Sequence, residues 1–182
     1  LGRTGTENDK LPGGPRIDSE NTAIAMAERG VRSSVVRLAP TVHSALDHSG
    51  FVPSLIGLAR KNGFSAYVGE GKNRWPALHT LDAARLYRLA LEAAPAGSRL
   101  HGAAEEGIAF REIAEAIGRG LGLPTKSLSV EEAPAKLGFL AQFAQFDNPT
   151  SSALTQQALN WQPTQVGLIA DLAEAHYFAQ TR

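Results

Sequence analysis

The chain has 182 residues, 43% apolar and 20% charged, with 18 Lys+Arg against 18 Asp+Glu. A formal charge of zero, with the arginines spread out, argues against a nucleic-acid binder, which needs a basic stripe to displace counterions. With no cysteine there is no disulfide framework, thiolate metal site or cysteine nucleophile, a composition that suits a reducing, cytoplasmic setting.

Residues 1–15, rich in Gly, Thr, Asn and Pro, read as a surface loop without a signal-peptide pattern. The opening resembles the middle of a loop, so the chain is expected to be a fragment. Ile17 to Arg29 predicts a helix closed by Gly30, and VRSSVVRLAP a buried strand ending at Pro40. TVHSALDHSG (41–50) reads as a polar connection, and FVPSLIGLARKNG as a helix with Pro53 in its first turn and Gly63 at its end. FSAYVGEGKN reads as a short strand and Gly-rich turn. A helix follows with Thr80 as N-cap, ending near Pro95. SRLHGAAEEG is a weaker strand, REIAEAIGRGLG an amphipathic helix and PTKSLSV another strand. The tail reads as helices: EEAPAKLG, FLAQFAQF, SSALTQQAL and VGLIADLAEAHYFAQ. No apolar run approaches the roughly 20 residues of a membrane span. The order predicts a mixed α/β chain with helices on both faces of its strands.

The glycine-rich stretches LPGGP, VGEGKN and GRGLGLP each fail the dinucleotide fingerprint, which needs a strand before the turn and a helix after it. His43, Asp47 and His48 lack metal-ligand spacing, so no metal is expected. No Gly-x-Ser-x-Gly elbow is present, and Ser44 or Ser49 beside His43 and His48 is proximity in sequence only. In RWPALHTLDAARLYRLAL, Asp82 suits the positive end of a helix, while Trp75 and His79 read equally well as pocket wall or core filler.

Four segments together resemble the C-terminal half of an NAD(P)-dependent epimerase/dehydratase, an extended short-chain dehydrogenase/reductase. SENTAIAMAERGVRSSVVRLAPTVH is similar to that family's helix after the active-site motif and the strand ending Arg-x-x-x-Val-x-Gly. SAYVGEG resembles its short strand and turn. ALHTLDAARLYRLAL resembles its His-Val-x-Asp-x-Ala segment, with His79, Asp82 and Ala84 matching. SSALTQQALNWQP resembles its closing Leu-Gly-Trp-x-Pro, with Leu159, Trp161 and Pro163 matching and Asn160 in place of Gly.

The resemblance implies an α/β fold: the C-terminal portion of a doubly wound Rossmann-type sheet, a small mixed α/β substrate-binding part and a helical tail. Residues 1–43 would be the Rossmann remnant, and 44–182 mostly the substrate-binding part, with segments near 79–104 returning to the sheet. It implies NAD or NADP as cofactor, hydride transfer at a carbonyl or hydroxyl carbon, a small-molecule substrate and a homodimer. The family's Tyr-x-x-x-Lys is missing. In one register Arg16 falls on the Lys position and Pro12 on the Tyr; in the other Arg16 falls on the Tyr and Glu20 on the Lys. Arg16 could hold a ribose or phosphate, but its pKa is too high to shuttle protons. Pro40, Thr41 and Val42 would approach the nicotinamide, and His43 the substrate. Trp75 stands where the family often has a phosphate-gripping Arg, with Arg74 one residue early, which disfavours a nucleotide sugar. Arg74, Trp75 and His79 are the expected substrate contacts, with His43 and His79 as the expected acids. The competing expectations are a non-catalytic NAD(P)-binding sensor and an inactive fragment.

Overall fold

A computed structural model describes residues 2–10 and 13–179. Helix α1 (Pro15–Ala25) begins with Pro in its first turn and continues as a 3-10 segment, Met26–Arg29. Gly30 closes it at φ 80, a left-handed conformation that a Cβ disfavours. Strand β1 (Ser34–Leu38) follows, then β2 (Thr41–His43), α2 (Phe51–Asn62) and β3 (Ser65–Val68). Strand β4 (Arg74–His79) runs straight into α3 (Thr80–Ala93). Next come β5 (Ser98–Gly102), β6 (Glu105–Ala109), α4 (Phe110–Leu121) and β7 (Thr125–Leu128). The tail carries α5 (Ala133–Leu137), α6 (Leu140–Phe143), α7 (Ala153–Leu159), α8 (Leu168–Asp171) and a 3-10 turn, Ala175–Tyr177.

Three small sheets organise the described residues. Strands β1 and β5 pair in parallel, as do β3 and β7. In the third sheet β4 is central, parallel to β2 and antiparallel to β6. One apolar core gathers α2, α4, β3 and β4 around Trp75, Phe110 and Ile113. A second lies under α3, with Leu78, Leu86, Leu100 and Trp161.

The chain departs from its sequence pattern at four places. Residues 41–43, expected within a polar connection, form β2. Residues 74–79, expected as the approach to a helix, form β4, which tolerates Pro76 because the β4–β6 register shifts between Trp75 and Ala77. SRLHGAAEEG divides into β5 and the start of β6. The one helix expected over VGLIADLAEAHYFAQ is two shorter pieces, α8 and the 3-10 turn. Asp171 and Tyr177 both reach the end of β2, whereas six residues along one helix would point about 120° apart.

The first residues are tied to the tail. Gly5 donates its N–H to the Pro149 carbonyl at 2.8 Å and accepts from Ser151 N–H at 2.9 Å. The Glu7 carboxylate accepts the backbone N–H and the hydroxyl of Thr155 at 2.8 and 2.7 Å. Across the other face, Glu20 on α1 accepts from Arg37 at 2.6 and 2.9 Å and from Arg99 at 2.7 Å. That ion cluster pins the helix to β1 and β5.

Candidate functional site

The parallel register sets His43 opposite His79 at the carboxyl ends of β2 and β4. Their rings meet edge to face, with centroids 5.4 Å apart. His43 is 1% exposed, and its Nδ1 lies 2.8 Å from Oδ2 of Asp171 on α8. His176 Nε2 approaches the other Asp171 oxygen at 3.5 Å. The Tyr177 hydroxyl accepts the Ser44 N–H at 3.0 Å, so the tail closes over the end of β2. Ser44 donates its hydroxyl to Thr80 Oγ1 at 2.9 Å, and Thr80 donates to the His43 carbonyl at 3.2 Å.

His79 is the N-cap of α3, correcting the expectation that Thr80 holds that place. Its Nδ1 accepts the Leu81 N–H at 3.2 Å, which requires a neutral ring with the proton on Nε2. Burial lowers its pKa from the ordinary histidine value, and the neighbouring His43 adds to that. Burial likewise raises the Tyr177 phenol, helped by the Asp47 charge. Asp47 is itself raised by burial, while its Oδ1 accepts Gly50 N–H at 2.8 Å.

Several expected contact residues are committed elsewhere. Trp75 is core: 2% exposed, 4.8 Å from the Phe110 ring and 5.6 Å from Phe51, with its indole N–H given to the Phe143 carbonyl. Arg74 holds Asp147 through Nε and Nη2 at 2.9 Å each, with Nη2 also on the Gly2 carbonyl, and this pairing keeps Asp147 far below the usual carboxylate range. Thr41 is 1% exposed and donates its hydroxyl to the Pro76 carbonyl at 2.5 Å, so only its backbone could meet a cofactor. Glu20, the alternative for the Lys position, is taken by Arg37 and Arg99, which hold its pKa at about 2. Arg16 is exposed on α1, and Pro12 lies outside the described residues. Pro40, just past the carboxyl end of β1, and Val42, within β2, remain half-buried.

Asp82 is neither a dipole partner alone nor a pocket group. It is 1% exposed and accepts the Thr164 and Gln165 N–H groups at 3.0 to 3.1 Å, while its carbonyl takes the Trp161 indole N–H at 3.2 Å. Asn160 adopts φ 47 at the turn between α7 and Trp161. A left-handed turn there explains a Gly-like position occupied by Asn. Sequence reasoning missed Asp171 and Tyr177. The one available signal was an acid inside the apolar run GLIADLA.

No family model matches the chain. It is 52% identical over 179 residues to the Schizosaccharomyces pombe protein "Uncharacterized protein C2A9.02", a match covering 97% of this chain and 60% of that protein. It is 42% identical over 157 residues to the Saccharomyces cerevisiae protein "Uncharacterized protein YLL056C", covering 86% of this chain and 52% of that one. The chain therefore spans little more than half the length of these relatives. Its structure resembles dTDP-glucose 4,6-dehydratase DesIV of Streptomyces venezuelae, solved with NAD bound, at a TM-score of 0.76 and 18% identity. That likeness covers 100% of this chain and 56% of the dehydratase. The fold is the C-terminal portion of a Rossmann-like epimerase/dehydratase. No helix among the described residues is long and apolar enough to cross a membrane.

Proposed function

We propose that this chain is the substrate-side part of an NAD(P)-dependent oxidoreductase or epimerase-like protein, acting at a carbonyl or hydroxyl carbon of a small molecule. The observation that carries the reading is the parallel register of β2 and β4, which sets His43 opposite His79 at the carboxyl ends of both strands, with Val42 beside His43 in β2 and Pro40 between β1 and β2. Ligands of open α/β sheets bind outside the carboxyl ends of strands. The fold's likeness to an NAD-bound dehydratase supports the same assignment.

In this reading Pro40 and Val42 face the nicotinamide, which supplies hydride chemistry when bound. His43 and His79 handle the substrate oxygen, replacing the absent Tyr. Arg74 and Trp75 hold the framework beneath them. A homodimer is the proposed assembly.

The test is a titration of NAD and NADP, with solution mass measured on the same sample, for this chain and for the S. pombe relative. Micromolar binding by the longer protein supports the reading. Absence of binding by both removes it. The sealing of His43 at 1% exposure favours one second reading, a protein that binds nicotinamide without turnover. Bound cofactor that stays unreduced and unoxidised across a panel of alcohols and ketones would support that alternative.

A further inference from the structure

The hydrogen bonds of the two histidines favour protons on opposite nitrogens, each ring with one nitrogen unspent. His43 Nδ1 faces a carboxylate oxygen of Asp171, an acceptor, which places a proton on Nδ1 and leaves Nε2 as the free position. His79 receives the Leu81 N–H on Nδ1, so its neutral ring carries the proton on Nε2. Neither Nε2 has a hydrogen-bond partner among the described residues. His79 is 9% exposed, and its Nε2 is not among the buried unpartnered atoms of the described residues, so that donor is left to water or a ligand oxygen. The rings meet edge to face with centroids 5.4 Å apart, one offering an acceptor and the other a donor.

A hydroxyl group needs that combination: a donor for its oxygen and an acceptor for its hydrogen. A carboxylate or phosphate would need donors alone, and an ammonium acceptors alone. We propose that His43 and His79 form a binding site for one hydroxyl group, with Asp171 as the positioning residue that sets the polarity of the pair. This rests on the functional reading above. His79 donates Nε2–H to the substrate oxygen as a neutral electrophile and keeps its proton. His43 accepts the hydroxyl proton: the O–H bond breaks, the His43 Nε2–H bond forms, and the electron pair stays on the oxygen. Asp171 then faces the imidazolium. In the reverse direction the proton returns to a developing alkoxide. The buried pair thus supplies both functions of the missing tyrosine, hydrogen-bond donor and proton exchanger, from separate side chains.

The experiment is nitrogen-15 NMR of the histidine-labelled 182-residue chain, which needs no cofactor and no turnover. The expected spectrum has His43 protonated on Nδ1 and His79 on Nε2, with His79 titrating below an ordinary histidine. Cyclohexanol, added at millimolar concentration as the probe, should shift both Nε2 resonances together. Asp171→Asn should release the His43 tautomer and leave that of His79 in place, and Asp171→Glu should restore it. The proposal is overturned if either ring holds the other tautomer, or if cyclohexanol leaves both Nε2 signals unmoved. Failure of the broader function would register instead in the nicotinamide titration, with these tautomers intact.

Discussion

His79 does two jobs with one ring, and both depend on its staying neutral. Its lowered pKa means that the unfolded chain binds the proton more readily than the folded one. Its contribution to stability is therefore complete above the ordinary histidine pKa of about 6.5 and declines as pH falls below it. His79→Asn keeps a capping side chain and removes the titration. Thermal melts between pH 5 and 7 should show a flatter profile for that variant than for the wild type. His79→Ala should lose about 1 kcal/mol near pH 7, because the Leu81 N–H loses its acceptor, and less toward pH 5. At this scale the sequence had flagged His43 and His79 but could not supply Asp171, 128 residues away from His43. Nor could it show that Thr41, beside His43, turns its hydroxyl inward to the Pro76 carbonyl.

Between elements, the two best-matched motifs turn out to be one device. Asp82 opens the outer turn of α3, and Trp161 follows α7; the first receives the second through a carbonyl, and the next backbone through its carboxylate. Trp161 is 0% exposed, so Trp161→Ala should cost about 3–5 kcal/mol. Asp82→Ala strands two backbone N–H groups and should cost about 1–3 kcal/mol. Because both changes release the same loop, the double variant should lose measurably less than the sum in a denaturant melt. Strict additivity would mean that the two contacts act independently. The amphipathic helices α2 and α4 were legible from period and terminal glycine, since their burial follows their own pattern. Strand β4 was not, because RWPALH carries a proline and no alternation: all but Arg74 are buried on both faces.

For the molecule as a whole, charge pairing joins parts that are distant in sequence. Glu20 links α1 to β1 and β5, and Asp147 links the tail to Arg74 and to the Gly2 N–H at 2.6 Å. Both carboxyls are held below their ordinary pKa, Glu20 at about 2. A depressed carboxylate contributes stability that is complete above its unfolded pKa and is lost as pH falls through the folded one. Acid unfolding should therefore set in below about pH 4.5 and deepen toward pH 2. Glu20→Gln should destabilise the chain by about 1–3 kcal/mol at pH 7 and blunt that acid slope, as read by circular dichroism against pH.

The sequence by itself determined the mixed α/β class, the helix stops at Gly30, Gly63 and Gly122, and His43 and His79 as candidate residues. Each of these is local: a period, a left-handed cap or a residue type read over a few neighbours. Only the tertiary structure decided that Trp75 is core, that Arg74 is spent on Asp147, and that the last predicted helix breaks to bring Asp171 and Tyr177 to β2. Those outcomes depend on which surfaces meet after the strands pair, and a hydrogen bond spanning 128 residues leaves no periodic trace in the chain that makes it.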